Sequence, residues 1–281
     1  MCKYSSTHLL IESANESGRR SLQHIDINRN RPSPRPKSRR AQTLPRTYTS
    51  CVPTEQRVRR IFEVLTRRQT DLTVLADDVY KPHNLSAILR TCDAVGIGRA
   101  HAVTPTGGIP TYVATSASAD KWVDLDVFDD IDVAIDGLQA AGMQIIAAHF
   151  SDEAVDYRDI DYTQPTTVVL GNERDGVRAR AAARADAHAI IPMLGMVQSL
   201  NVSVAAAVIL FEAQRQRRQA GLYDRPQLTP EVMNEQAFRW LHPHLATECD
   251  LRGHPIPWLN MDGEPIADGS SEGAWAQSFT S

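Results

Sequence analysis

Short apolar runs alternate with helical stretches over residues 72–222. Runs rich in Val, Ile, Leu and Thr, which predict buried strands, occupy residues 72–76, 100–105, 144–150, 166–171 and 189–193. Between them, apolar residues recur at helical spacing and predict helices at about 84–95, 129–141, 176–184 and 199–219. Strands that alternate with helices are typical of an α/β domain on a mostly parallel sheet. We therefore predict one α/β domain over residues 72–222.

A short amphipathic helix is predicted just before this domain, within residues 54–71. It opens with Thr54, which can cap it, and its apolar residues follow at helical spacing: Val58, Ile61, Phe62 and Leu65. The other face carries five arginines, Arg57, Arg59, Arg60, Arg67 and Arg68. Such a face is usually solvated, but a cluster of arginines also binds RNA phosphates. Both interpretations stay open.

The two ends of the chain differ from the α/β domain in composition. Residues 1–50 hold ten Lys/Arg against three Asp/Glu, a net charge of +7, so the remainder carries −11 of the total of −4. Residues 28–50 are rich in Pro, Arg and Ser and have few apolar residues to bury, which predicts a disordered basic tail over residues 1–53. Residues 223–281 predict a C-terminal extension with one short amphipathic helix.

Composition excludes several classes of protein. With 42% hydrophobic and 23% charged residues, the chain has the composition of a globular protein. Its longest nearly apolar run, 202–211, is about half of the roughly 20 residues that a membrane helix needs. The first twenty residues lack a signal-peptide pattern, so a cytoplasmic protein is expected. The four cysteines form no CxxC pair and the nine histidines no HExxH motif, so no metal site is expected.

Two segments place polar residues where predicted strands end. The first, KPHNLSAILR at 81–90, contains Asn84, which we interpret as a helix cap, and Arg90, which lies on a largely apolar turn and needs an anionic partner. The second, VVLGNERDGV at 168–177, contains Gly171 and Glu173 in a strand-to-helix turn. Glycine there lets the backbone approach a ligand closely. The segment lacks the GxGxxG and GK[ST] patterns, which argues against NAD and ATP.

The third segment is IPMLGMVQSLNVSVAAAVIL at 191–210. Ser199 and Asn201 open a helix whose next residues are almost wholly apolar, and such a helix is expected to be buried on all sides. The N–H groups at its buried start would then need Ser199, Asn201 or a ligand as acceptors. A Met-rich apolar pocket with backbone donors suits an adenine ring and a thioether or sulfonium, although periodicity alone does not name the ligand.

Taken in order, these motifs resemble the SPOUT superfamily of knotted methyltransferases and, within it, the TrmH type of tRNA (guanosine-2'-O)-methyltransferases. The resemblance covers residues 54–222 and rests on N-x-x-A-x-x-R at 84–90, the GNERDG loop and residues 191–210. It implies an α/β fold with a deep C-terminal trefoil knot, S-adenosyl-L-methionine as cofactor, tRNA as substrate and a homodimer. The implied cofactor contacts, largely through backbone, are Ala148, Gly171, Ile191 and Leu200, with Met196 and Ser199 nearby.

The resemblance also implies the residues of catalysis. Arg90 is implied to deprotonate the ribose 2'-OH, while Asn84, Glu173 and Asn201 shape the pocket and Ser199 supports it. A guanidinium is effectively always protonated and is a poor base, so Arg90 could instead bind the adjacent phosphate and stabilise the forming alkoxide. Both roles stay open at this point.

The first hypothesis for the substrate is guanosine 18 in the D-loop of tRNA. Ribosomal RNA and the wobble nucleotide of tRNA are alternatives with the same fold. Residues 1–53 are too polar for the folded RNA-binding domain that precedes the knot in ribosomal-RNA relatives, which favours tRNA. A different class of function is an RNA-binding protein of this fold without turnover, against which the intact motif residues argue.

Overall fold

The computed structural model describes residues 10–14, 20–24, 53–79, 81–104, 121–266 and 270–279. It divides into two compact units, called here the sheet unit (Met1–Arg29 and Thr70–Ala220) and the helical unit (Asn30–Gln69 and Gly221–Ser281). Within the predicted basic tail, strands β1 (Leu10–Ala14) and β2 (Arg20–His24) pair antiparallel. Residues 25–52 lie outside the described ranges, so the disorder predicted there stays a prediction.

The main sheet has seven strands in the order β5-β4-β3-β8-β6-β9-β7, and every neighbouring pair is parallel. The strands are β3 (Leu72–Asp77), β4 (Arg99–Val103), β5 (Asp124–Phe128), β6 (Gln144–Ala148), β7 (Val155–Asp156), β8 (Thr166–Leu170) and β9 (Ala187–Ile190). The sequence predicted five of them; β5 and β7 were missed. Both are edge strands, one half polar and one two residues long, so neither carries a continuous apolar run.

Helices cover both faces of the sheet, as the α/β prediction requires. They are α2 (Pro82–Ala94), α3 (Ile131–Ala140), α4 (Ala179–Ala182) and α5 (Val202–Gln219). Successive strand residues point to opposite faces, so Leu72 and Val74 pack into the core that contains α2 and α5, whereas Leu75 packs into the core of α3 and α4. Central strand β3 is buried along its whole length, which explains its apolar sequence. The trefoil knot stays a prediction.

Helix α5 corrects one expectation. It is not buried on all sides: Ala206, Ile209 and Leu210 are buried, but Val204 is 47% and Phe211 49% exposed. The start of the helix is exposed as well. An apolar helix sequence predicts burial of every face, but the burial need not come from the same chain. In the single chain one face of α5 is exposed to solvent.

The helical unit joins the two predicted extensions. Helix α1 (Glu55–Leu65) packs with α6 (Pro230–Leu241), α7 (Pro243–Arg252) and a 3-10 helix (Trp275–Phe279). Phe62 of α1 stacks on Trp275 with ring centroids 3.8 Å apart. The short amphipathic helix predicted after residue 223 is confirmed by α6. Among the helices that the structure describes, none is long and apolar enough to cross a membrane.

Candidate functional site

The carboxyl ends of three adjacent strands bring the predicted cofactor residues to one edge of the sheet. Ala148 is the last residue of β6, Gly171 follows β8 and Ile191 follows β9. Strand β6 pairs with both of the others, and Ala148 lies opposite Ala189 in β9. In a parallel sheet the edge at the carboxyl ends is where ligands bind. The sheet topology therefore places these three backbone segments side by side.

Three side chains from distant parts of the chain form a hydrogen-bonded series at this edge. Asn84 is 2% exposed, and its Nδ2 donates to Oε1 of Glu173 over 2.5 Å. Its Oδ1 accepts from Nδ2 of Asn201 over 3.2 Å. The interpretation of Asn84 as a helix cap is wrong, because α2 begins at Pro82 and Lys81 is its N-cap. The Asn84 side chain instead joins the second and third motifs.

The two partners of Asn84 keep further polar capacity. Asn201 is the N-cap of α5, and its Oδ1 accepts from the backbone N of Ser203 over 2.9 Å. Among the described residues, Oε2 of Glu173 is buried without a hydrogen-bond partner. A buried acceptor without a donor costs free energy, so this oxygen marks a position where a ligand or water donor would be stabilised.

The loop between Gly171 and Val177 is tightly closed. Asn172 and Gly176 exchange backbone hydrogen bonds of 3.0 and 3.1 Å, and the Asn172 side chain accepts from the N–H groups of Arg174 and Asp175. A Cβ at position 171 would lie 1.9 Å from the carbonyl carbon of Gly176, so only glycine fits there without moving the backbone. This close contact positions Glu173 at the tip of the loop.

Sequence reasoning missed a pair of charged residues that binds the end of this loop to strand β3. Asp77, the last residue of β3, is fully buried, and its Oδ1 accepts from Nε of Arg178 over 2.7 Å. Its Oδ2 accepts from the backbone N of Arg178 over 3.2 Å. A polar residue at a strand end was a usable signal for Asp77. The partner, 101 residues away, depends on the topology.

A second polar contact missed by the sequence joins β9 to the loop after β6. Nδ1 of His188 lies 2.7 Å from Oγ of Ser151, and its Nε2 lies 3.0 Å from the carbonyl oxygen of Ala182. A carbonyl only accepts, so Nε2 carries the proton and Ser151 donates to Nδ1 in the neutral ring. Desolvation, with a smaller effect of His188, lowers the pKa of neighbouring His149.

Other predicted site residues are placed less centrally. Arg90 is exposed on α2, six residues after Asn84. Ser199 is exposed and Leu200 half-buried in the loop before α5, where Met196 is 99% exposed. In the single chain this loop therefore does not enclose the Met-rich pocket that was expected.

The predicted RNA-binding arginines divide into two groups. Arg57, Arg59, Arg60 and Arg67 are exposed on or just after α1. Arg68 is a correction: it is 2% exposed and its guanidinium lies over the Trp240 ring, 5.6 Å from the centroid. The helix ends at Leu65, so residue 68 no longer follows the helical periodicity that assigned it to the outer face. Within the described ranges, no cluster of three or more His, Cys, Asp or Glu residues could hold a metal ion.

Comparison with known proteins decides the family. The model of the SpoU rRNA Methylase family matches residues 71–211, about half of the chain, and the model of the SpoU rRNA methylase C-terminal region matches 215–268. The chain belongs to the SpoU methylase family. The predicted TrmH-type SPOUT methyltransferase is thereby confirmed, and the first match covers the whole seven-stranded sheet.

Relatives of this SpoU methylase chain include two named tRNA (guanosine(18)-2'-O)-methyltransferase. The one from Thermus thermophilus is 60% identical over 188 residues, covering 67% of this chain and 97% of the relative. The one from Escherichia coli is 49% identical over 214 residues, covering 75% and 93%. Among solved structures, the Aquifex aeolicus TrmH/SpoU tRNA modifying enzyme is 42% identical, with a TM-score of 0.62 over 67% of this chain and 96% of that chain.

Proposed function

We propose that the chain is a tRNA 2'-O-methyltransferase that transfers a methyl group from S-adenosyl-L-methionine to the ribose of guanosine 18. The observation that carries the proposal is the name shared by relatives 60% and 49% identical, of which the chain spans nearly the full length. A tRNA substrate supports the expected cytoplasmic location.

The residues at the carboxyl edge of the sheet fit this cofactor. The backbones of Ala148, Gly171 and Ile191 lie side by side there, and Oε2 of Glu173 offers a buried acceptor. We assign these segments, with Leu200, Met196 and Ser199 from the neighbouring loop, to hold S-adenosyl-L-methionine. When bound, it supplies an electrophilic methyl group on sulfur for in-line attack by an oxygen nucleophile.

The chain's own residues orient the acceptor and stabilise charge. Asn84 holds Glu173 on one side and Asn201 on the other, so one buried amide fixes the relative position of loop 171–177 and the start of α5. Arg90 is exposed on the same helix as Asn84 and presents a positive charge toward solvent, where RNA arrives. A guanidinium that stays protonated would bind the phosphate next to guanosine 18 and stabilise the negative charge that develops on the 2'-oxygen while solvent water accepts the hydroxyl proton.

A homodimer is part of the proposal. Several large apolar side chains of the sheet unit are exposed in the single chain: Leu194 102%, Met196 99%, Phe150 82%, Val197 61%, Phe211 49% and Val204 47%. Val204 and Phe211 lie on one face of α5, and a second copy packed on this face would cover both apolar side chains. Sedimentation should report a dimer, and Phe211→Asp should shift it toward monomer, whereas exposed Leu251→Asp in α7 should not.

The exposed arginines of α1 are proposed to contact RNA phosphates. Arg59 lies 3.1 Å and Arg60 3.9 Å from Glu63, so both are partly neutralised within the chain. Phosphate contacts make affinity fall steeply with salt, roughly in proportion to the number of contacts. Changing Arg57, Arg59, Arg60 and Arg67 together to Gln should therefore weaken tRNA binding and flatten its salt dependence. Unchanged binding would remove this surface from the RNA site.

Methylation of a tRNA transcript tests the whole proposal. The enzyme should transfer one labelled methyl group per tRNA, ribose-methylation mapping should place it at nucleotide 18, and a transcript with 2'-deoxyguanosine at that position should accept none. Arg90→Ala should abolish transfer while leaving cofactor binding by calorimetry intact. Methylation at another nucleotide would exclude guanosine 18. Near-normal transfer by Arg90→Ala would exclude Arg90 both as the base and as the residue that binds the phosphate.

A further inference from the structure

The loop that carries Gly171 and Glu173 is bound to the rest of the sheet unit at two points, its tip and its C-terminal end. At its tip, Glu173 accepts from Asn84 of α2. At its end, Arg178 binds Asp77 of β3 through its guanidinium and through its backbone N–H. Helix α2 is the next element after β3 in the chain, so both contacts attach the loop to the same β3–α2 segment.

We propose that Asp77 and Arg178 are positioning residues, which hold loop 171–177 in the conformation that binds the methyl donor. The inference rests on the proposed function for its ligand. Neither residue belongs to the three motifs or to the residues assigned to the cofactor; they act through Gly171 and Glu173.

The geometry of the pair supports a positioning role. A carboxylate that accepts from both a side chain and the backbone of one residue fixes the direction of the chain there as well as its distance. Asp77 is fully buried, whereas the Arg178 side chain is 32% exposed, so the contact anchors a partly exposed loop to a buried core strand. Arg178 is also the N-cap residue of α4, which sets where the loop stops and the helix begins.

The closed shape of the loop transmits this anchor to the site. Asn172 and Gly176 are paired through their backbones, and position 171 has no space for a Cβ beneath Gly176 and Val177. A shift of Arg178 therefore moves Val177 and Gly176, which press on Gly171. Close backbone contacts therefore connect the Asp77–Arg178 pair to Gly171, the backbone assigned to the cofactor.

Arg178→Lys tests the proposal, with Arg184→Lys as the matched control. Lysine keeps the charge but loses the planar fork that binds one carboxylate through two N–H groups. Arg184 is similarly half-buried, with 27% of its side chain exposed, and pairs with Asp132 and Asp136 of α3, away from the loop. In Arg178→Lys the KM and the calorimetric Kd for S-adenosyl-L-methionine should rise about tenfold, which corresponds to about 1.4 kcal/mol of lost cofactor contact.

The split between KM and kcat separates positioning from loss of folded protein. A displaced loop raises KM and lets kcat recover at saturating cofactor, whereas partial unfolding lowers kcat and leaves KM unchanged. Amide exchange without cofactor gives a second readout: the N–H groups of Asn172 and Gly176 should exchange faster in Arg178→Lys and not in Arg184→Lys. Unchanged KM together with unchanged exchange would overturn the proposal. Wild-type protein that binds no S-adenosyl-L-methionine would instead overturn the proposed function, and the exchange readout would still test the anchor.

Discussion

Replacing Asn84 by Asp is the sharpest test of the hydrogen-bonded series at the sheet edge. The substitution keeps the shape of the side chain but exchanges the Nδ2 donor for an oxygen, 2.5 Å from Oε1 of Glu173, at a position 2% exposed. Two ionised carboxyl groups about 4 Å apart repel by about 4 kcal/mol at an effective dielectric constant of about 20. Repulsion of this size favours a proton on one of the two carboxyl groups.

The destabilisation caused by Asn84→Asp cannot exceed the free energy of protonating one carboxyl group, which depends on pH. Protonating a carboxyl group of ordinary pKa, about 4, at pH 7 costs about 4 kcal/mol, which matches the repulsion it removes. A group whose pKa is raised in the folded state loses its contribution to stability as pH rises through that pKa. Asn84→Asp should thus be about 4 kcal/mol less stable than wild type at pH 7, and the difference should shrink as pH falls toward 4.

Urea denaturation at several pH values measures this difference, and Asn84→Ala is the matched variant. Alanine removes the hydrogen bond to Glu173, worth about 1.5 to 3 kcal/mol for a charged acceptor, but adds no charge. The deficit of Asn84→Ala should vary little with pH. Equal stability of the Asp and Ala variants at pH 7, with no dependence on pH, would refute the placement of Asn84 beside a carboxylate. Both variants should also lose methyl transfer.

Three further predictions concern other parts of the sheet unit. Gly171→Ala should weaken cofactor binding at least tenfold, since its Cβ would lie 1.9 Å from backbone of Gly176; calorimetry with a still-folded variant checks this. Burial lowers the pKa of His101 to about 4. The folded protein should therefore lose about 3 kcal/mol of stability through this residue as pH falls from 6.5 to 4. Urea denaturation of His101→Gln should not show this pH-dependent loss. Arg217→Met should cost about 1 to 3 kcal/mol, because the buried guanidinium no longer donates to the carbonyl oxygens of Tyr162 and Gln164. Arg215→Met on the same helix should cost less, because the Arg215 side chain is 52% exposed.

The sequence was sufficient where burial on both faces forces a continuous apolar run. Strands β3 and β8 are buried along their whole length, and their sequences, LTVLAD and TTVVL, were predicted within one residue at either end. Edge strand β5 reads DLDVF, with Asp124 and Val127 exposed and none of its residues fully buried, and was missed. An edge strand has one neighbour and needs fewer apolar residues, so its pattern resembles that of a loop.

The site shows the same division. The motif residues Asn84, Glu173 and Asn201 were found, and the structure brings them together. Their contacts were not found, because α2 begins at Pro82 and so turns Asn84 from a cap into a buried bridge. The pairing of Asp77 with Arg178 depends on β3 and β8 being neighbours, which no local pattern contains.

The helical unit has a consequence for how the protein is made. Its core combines Val58, Ile61 and Leu65 of α1 with side chains of α6, whose first residue, Pro230, follows more than 160 residues later. A ribosome adding about 5 to 20 residues per second needs roughly 10 to 30 seconds for that stretch. During this time the apolar face of α1 has been synthesised without its partner, while the larger part of the sheet unit, Thr70–Ala220, emerges. Without α6 the apolar face of α1 would stay exposed, so truncation at residue 222 should yield a protein that aggregates through α1.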